Sequence, residues 1–213
     1  MRKKLFFALL VFVFLFTSCG TRSNNAEQQT AIYCETATFD EGVVINGIRW
    51  ATRNVNAPGT FAKNPEDAGM LFQWNRRKGW NVVDEEVEGW DNSFATGRRW
   101  SRQNDPCPEG WRMPTRAELQ SLKNAGISDF TQLNGVYGRY FGTTMLNSIF
   151  LPASGLRLDR TGALRDVGTW GDYWSNTRNG TNRAMTLSVG RSSSGMSIVN
   201  RSLGFSVRCV STN

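Results

Sequence analysis

From Gly42 onward the apolar residues of this chain come in short runs, each cut within a few positions by Gly, Asn, Asp, Ser or Pro. A chain divided this way lacks the long periodic stretches that helices need. Most of it must fold as short strands joined by turns. Val43-Val44-Ile45 and Ile48-Arg49-Trp50 flank Asn46-Gly47, the strongest short hairpin signal, because both turn residues tolerate positive φ. Met70 to Trp74 and Ile149 to Ala153 read as buried strands. Leu156-Arg157-Leu158 and Ala163-Leu164-Arg165 flank a turn at 159–162. Tyr173 to Ser175, Ala184 to Val189, Met196 to Val199 and Phe205 to Val210 continue the series. In the last run Phe205, Val207 and Cys209 share one face by the two-residue period.

Two segments read as helix. Thr115 with Glu118 three positions on forms a capping box, Leu119 and Leu122 supply the apolar stripe, and Gly126 marks the end. Asn64-Pro65-Glu66-Asp67 carries a cap, a first-turn Pro and first-turn acids, the marks of a second helix start. One or two early helices followed by many short strands predict an α+β domain with long loops.

The N-terminus is an address. Arg2, Lys3 and Lys4 precede an unbroken apolar run from Leu5 to Phe16. The run falls short of the roughly 20 residues that span a bilayer, but it suits a secretory signal. It ends in Thr17-Ser18-Cys19-Gly20, small residues around a cysteine, which resembles a bacterial lipoprotein signal. Residues 1–18 are therefore expected to be removed and Cys19 lipidated, with acyl chains giving stable membrane attachment. Residues 19–41 read as a tether, since Thr21 to Thr30 is polar and lacks aromatic residues. Gly20 is not acidic, which is compatible with sorting to an outer membrane. Loss of Arg2, Lys3 and Lys4 lowers the formal charge from +7 to +4. Part of the basic character therefore belongs to the leader, and export argues against a nucleic-acid partner.

The chain contains no His. A Ser-His-Asp triad, a Cys-His pair and an imidazole metal site are all excluded. Of its four cysteines, Cys19 is assigned to lipid, and Cys34, Cys107 and Cys209 remain. Exported chains favour disulfides. A Cys107–Cys209 bridge would join the Pro-rich turn at 105–111 to the last strand and is preferred. It closes a loop of about 100 residues, worth up to roughly 4–5 kcal/mol in the chain-entropy picture. The pairings 34–107 and 34–209 stay open.

Two surfaces attract functional readings. Residues 75–104 form a long irregular stretch with Trp80, Trp90 and Trp100, and with the acidic run Asp84-Glu85-Glu86-Val87-Glu88. Long loops without periodicity are usually functional. The acidic run reads first as a solvated loop and second as a cation site or a pair of catalytic carboxylates. From Ser175 to Asn213 the tail carries no acid, no Lys and five Arg: Arg178, Arg183, Arg191, Arg201 and Arg208. Its density of Asn, Ser, Thr and Gly suits an adaptable contact surface. Asn176, Arg178, Asn179, Asn182, Arg191, Ser193, Asn200 and Arg201 are its ligand-binding candidates, joined by Trp80, Trp90, Trp100 and Trp170 as loop-borne indoles that either pack beneath the loop or stack on sugars and fill partner pockets.

Three blocks tie these residues to a family. Val44 to Val55, with Pro58-Gly59-Thr60-Phe61, Pro65 to Gly69 and Phe72-Gln73-Trp74, form the first. Asp105 to Thr115 with Glu118-Leu119 form the second. Leu151 to Gly155, Tyr173-Trp174-Ser175 and Gly204 to Val210 form the third. Together they resemble the Fibrobacter succinogenes major paralogous domain, common in lipoproteins of Bacteroidetes, over residues 42–211. Its carboxy-terminal half is similar to C-type-lectin-like domains of the formylglycine-generating-enzyme type, which implies a C-type-lectin-like α+β fold of short twisted antiparallel strands. The resemblance brings no established activity. Formylglycine-generating enzymes need two active-site cysteines, which the preferred bridge here consumes. Calcium-dependent lectins use Glu-Pro-Asn and Trp-Asn-Asp motifs, where this chain has Trp174-Ser175-Asn176 and no acid after Asp172. In C-type-lectin-like proteins diversified by retroelements the variable segment lies in the similar carboxy-terminal region, so the resemblance admits a diversified tail here, though similar tails also occur without diversification. The sequence thus predicts a membrane-anchored, exported, non-catalytic module for a glycan or protein ligand, with no metal or other cofactor. A structural or adhesive role in a surface assembly is the second reading, and a hydrolase using the acidic loop is the third.

Overall fold

The computed structural model describes residues 37–213. Cys19, Cys34 and the expected signal lie outside the described residues. β1 (Val43–Ile45) and β2 (Ile48–Trp50) pair antiparallel around Asn46 and Gly47, whose φ values are 51° and 78°. The sequence-predicted hairpin is formed. The helix α1 (Arg116–Ala125) starts at Thr115, whose side chain accepts from the Glu118 amide, while Glu118 accepts from the Thr115 amide. Arg112 locks that carboxylate with a forked contact, Nη1 to Oε2 at 3.0 Å and Nη2 to Oε1 at 2.6 Å.

The second expected helix is absent. Asn64 to Asp67 makes a turn in which the Asn64 amide donates to the Asp67 carboxylate at 2.8 Å. It stops there because Gly69 turns back at φ 66°, close enough that a Cβ would lie 2.2 Å from the Val55 carbonyl oxygen. Among the strands unread in the sequence are β6 (Thr131–Leu133) and β7 (Val136–Gly142), where β7 pairs with β6 on one side and with β8 (Ser148–Pro152) on the other. Gly138 and Gly142 disguise β7. A Cβ at Gly138 would meet the Leu151 carbonyl oxygen at 2.4 Å, so glycine is what lets β7 approach β8.

The remaining strands are β3 (Leu71–Gln73), β4 (Gly79–Trp80), β5 (Trp111–Arg112), β9 (Ser154–Arg157), β10 (Leu164–Val167), β11 (Trp170–Asn179), β12 (Arg183–Gly190), β13 (Ser194–Asn200), β14 (Gly204–Phe205) and β15 (Val210–Ser211). An eight-stranded sheet runs β13-β12-β11-β9-β14-β3-β4, with β10 beside β9. A four-stranded sheet runs β1-β2-β15-β5, and β6-β7-β8 form a third. Strand accounts for 40% of the described residues and helix for 8%. The expected α+β, C-type-lectin-like class is therefore corrected to a mostly β, sandwich-like fold. Its cause is local. The early helix signal at 64–67 does not propagate, and the glycine-rich stretch after α1 is sheet.

β11 explains how the layers assemble. Its central residues are buried on both faces, as in a strand covered on both sides. Tyr173 faces a cluster with Leu119, Leu122, Phe141, Leu151 and Leu187, beneath α1 and the three-stranded sheet. Trp174 faces the other way, among Phe72, Trp74, Phe205, Val207 and Cys209. The last apolar run is interrupted rather than one strand. β14 and β15 are separated by 206–209, where Phe205, Val207 and Cys209 reach one core as the alternation predicts. Cys209 bonds Cys107, with Cα atoms 6.1 Å apart across 102 residues. The preferred pairing is the one formed.

Between them Arg208 points the opposite way and is fully buried. All five guanidinium hydrogens are used. Nε and Nη2 donate to Asn54 Oδ1 at 2.9 and 2.7 Å, Nη2 also to the Phe150 carbonyl at 3.0 Å, and Nη1 to the carbonyls of Ala51 and Thr52. Burial pulls its pKa down to about 10, with Tyr173 and Asp40 opposing. It still carries its charge at neutral pH. Replacing Arg208 by Met strips partners from four acceptors at once. It is expected to cost about 3–5 kcal/mol in urea unfolding, against under about 1 kcal/mol for the exposed Arg183→Met.

Candidate functional site

The 75–104 segment is loop by secondary structure but fixed by side chains. Arg157 on β9, fully buried, donates to the carbonyls of Asn81 (2.7 Å), Asp84 (2.9 Å) and Gly162 (2.6 Å). The Asn81 side chain in turn accepts from the amides of Val83 and Asp84 at 3.1 and 3.0 Å. Further along, Asn75 donates to the Thr96 carbonyl and accepts from the Ser101 amide, both at 2.7 Å. Asn104 donates to the Asn75 carbonyl at 2.8 Å. Asn75 has φ 57°, a left-handed position that asparagine tolerates through local hydrogen bonding.

The Asn75 and Asn104 bonds, with one from the buried Gln73 side chain to the Asp91 carbonyl, frame an open cleft of about 430 Å³ between the β3–β4 turn and residues 89–104. Asn75, Arg76, Arg77, Lys78, Trp80, Asp91 and Asn104 are among its walls. Arg76 pairs with Asp91 at 2.7 Å. Hydrogen bonds from the Ser93 side chain and amide, with the Arg76 charge behind them, hold the Asp91 carboxyl below its ordinary value. Arg77 gives one hydrogen bond, to the Asp105 carbonyl at 2.9 Å. Lys78 rests its ammonium 3.8 Å from the Trp80 ring centre. The run Arg76-Arg77-Lys78 escaped the sequence reading. Its available signal was three adjacent cations directly after a buried strand, where a turn must hold them together.

The indoles are mostly packing. Trp80 and Trp100 are each only 7% exposed, so the expectation that the loop presents them to a ligand is corrected. Trp100 donates to the Asn104 carbonyl and packs edge-on to Trp74. Trp90 is half-buried against Trp80, donates to the Asp159 carbonyl at 3.0 Å, and lies over Gly162, where a Cβ would clash at 2.7 Å. Trp170 donates to Asp172 and covers Gly190. These rings were free of helix or strand periodicity in the sequence, yet the loop folds over them.

The tail residues do not converge on one surface. Arg178, Asn179 and Asn182 are exposed at the β11–β12 hairpin, with Asn176 half-buried below, its carbonyl accepting from the Trp100 amide. Arg191 and Ser193 are exposed at the β12–β13 turn. The two groups sit at opposite ends of the eight-residue β12, about 25 Å apart at a strand's rise. Arg191 there lies over Tyr137. Asn200 is turned to Asp159, donating at 3.1 Å. Arg201 is 5% exposed, with its guanidinium 4.8 Å from the Trp74 ring centre. One of its terminal nitrogens donates to the Thr181 carbonyl, while Nε and the other terminal nitrogen are buried without a partner.

The acidic run Asp84 to Glu88 is largely exposed, and among the described residues no three Cys, Asp or Glu gather as a metal site would require. A second cavity, about 450 Å³, is walled by Ala37, Arg53, Phe61, Met70 and Val83. It has the first described residue as one wall and mixes apolar with polar groups. The one deeply buried carboxylate near the hairpin is Asp172. It accepts from Thr186 at 2.9 Å, from Trp170 at 2.8 Å and from Ser188. No cation pairs with it among the described residues.

Residues 43–211 match the Fibrobacter succinogenes major domain family, and the chain belongs to that family. No curated relative and no solved structure matches the chain.

Burial pushes the Asp172 carboxyl up, and the Ser188, Trp170 and Thr186 donors offset this only in part. A carboxyl with a folded pKa above its unfolded one gives stability that is complete below the unfolded value and fades as pH rises through the folded one. The stability advantage of the natural chain over Asp172→Asn should therefore be largest near pH 4 and shrink toward pH 7. Urea unfolding of both proteins across that range measures it, and a difference independent of pH would contradict it.

Proposed function

We propose that this chain is a non-catalytic ligand-binding module displayed at the cell envelope. Lipid on Cys19 holds it to a membrane, and residues up to the domain form the tether. The observation that carries the binding role is the cleft at 75–104. The buried side chains of Gln73 and Asn75 tie its facing walls together, so a ligand meets a preformed surface with little ordering left to do. The contact surface in this reading is the cleft with the neighbouring β11–β12 hairpin, not the Trp rings, which serve as packing beneath it. The missing histidines and the exposed, dispersed acids of 84–88 speak against hydrolysis. The ligand class is a glycan or a protein.

A second reading, a structural or adhesive component of a surface assembly, has one observation in its favour. β13 borders the eight-stranded sheet, contains no charge or Pro, and pairs with β12 through seven residues without a bulge. Such an edge is open to pairing with another strand.

Two outcomes follow. Cys19→Ser should abolish incorporation of labelled palmitate and move the protein from the membrane to the soluble fraction. On an array of glycans and envelope extracts, binding should be lost with Arg76→Gln/Lys78→Gln and kept with Glu86→Gln. Retention by the first variant, with folding intact, would remove the cleft from this reading.

A further inference from the structure

The cleft's charge is unbalanced in a way that names a ligand class. Three cations, Arg76, Arg77 and Lys78, stand among its walls against one carboxylate, Asp91. That carboxylate is already paired with Arg76. Lys78 is held over Trp80, with no carboxylate among the described residues within ion-pair distance. A lysine fixed by a cation–π contact alone keeps its three donors for an outside acceptor. Arg77 has spent one of five donors. Along the same loop Arg98, Arg99 and Arg102 are exposed, and Arg99 bridges to Thr177 on β11. The positive charge thus runs from the cleft onto the hairpin.

The hairpin supplies the second observation. Arg201, nine-tenths buried beneath it, has two guanidinium nitrogens without partners. Arg178 lies near enough that its charge adds to burial in lowering the Arg201 pKa. The like charges of Arg178 and Arg201 at one hairpin favour an anion beside it. The acidic turn does not cancel this field. The carbonyls of Asp84 and Glu85 are held by Arg157 and the Leu164 amide on the β9–β10 side, and none of Asp84, Glu85, Glu86 or Glu88 walls the cleft.

Resting on the binding reading above, we propose that the cleft and the adjoining hairpin take a polysaccharide bearing acidic groups, uronate or sulfate. Arg77 and Lys78 meet one acidic group, and the Arg98 to Arg102 stretch meets the next along the chain. A glycan fits better than a nucleic acid. Single-stranded nucleic acid needs a succession of exposed rings for its bases. Here Trp80 and Trp100 are covered, and Phe94 is the large ring left exposed on the loop.

The test is calorimetric titration of the purified protein with polygalacturonate, dextran sulfate, uncharged dextran and an oligothymidylate, at low and at raised salt. Binding of either acidic polymer, weakened by salt, absent with dextran, at least tenfold weaker in Arg77→Gln/Lys78→Gln and unchanged within twofold in Arg191→Gln, supports the proposal. The preferred polymer identifies sulfate or carboxylate. The variant's melting temperature should match the natural protein's, because neither side chain is buried. Dextran bound equally well, and lost in the double variant, would overturn the acidic ligand while leaving the binding cleft in place. Oligothymidylate bound more tightly than both acidic polymers would overturn it in favour of nucleic acid. An equal loss in Arg191→Gln would show diffuse charge in place of a site and overturn it. No binding of any polymer would overturn both this proposal and a glycan role for the cleft.

Discussion

Arg208 is the interaction on which the rest of the structure hangs. A fully buried guanidinium without a paired carboxylate survives only when every donor finds an acceptor. Here those acceptors come from the segment after β2 and from the middle of β8. One side chain therefore fastens the four-stranded sheet, the three-stranded sheet and the last segment of the chain. Its neighbours do the complementary work. Val207 and Cys209 point into the opposite core, and Cys209 closes the bridge to the turn before α1. Six residues near the C-terminus thus serve two cores and a disulfide.

The same device recurs at Arg157. It too is fully buried, and it too satisfies itself on carbonyls, this time of a loop. A segment with almost no strand or helix holds its shape because a buried arginine donates to its carbonyls and the side chains of Asn75, Asn81 and Asn104 bond where a ladder would. That is how a fold of short strands builds a recess. The recess then inherits whatever charge the turn carries, and the turn after β3 carries three cations.

Much of this was legible in the residues. The hairpin at Asn46-Gly47, the capping box of Thr115 and Glu118, and the strands around Leu151, Trp174 and Leu187 follow from local chemistry, while cysteine inventory favoured Cys107–Cys209 and left the pairings of Cys34 open. The class of fold did not. Pro65 and its acids are real helix-start signals, but Gly69 has to turn back against the Val55 carbonyl, and tertiary contact overrides the local preference. β7 was hidden because Gly138 and Gly142 lower strand propensity while permitting the close approach to β8. The candidate site fared similarly. Sequence reasoning found the loop and the basic tail and left its indoles between packing and contact; the structure packs Trp80 and Trp100 inside and lays Trp90 and Trp170 over glycines.

What the sequence alone determined is periodicity, turn chemistry, the absence of histidine and the charge of each segment, because these are properties of neighbours along the chain. Which arginines face solvent and which sit in a cage of carbonyls was decided only in three dimensions. Arg178, Arg191, Arg201 and Arg208 are identical in a string of letters. They part company because one stands at a hairpin tip, one at the far end of the same strand, one beneath the hairpin and one at the junction of the sheets. Burial and the supply of acceptors are long-range facts, set by residues as far apart as Asn54 and Arg208.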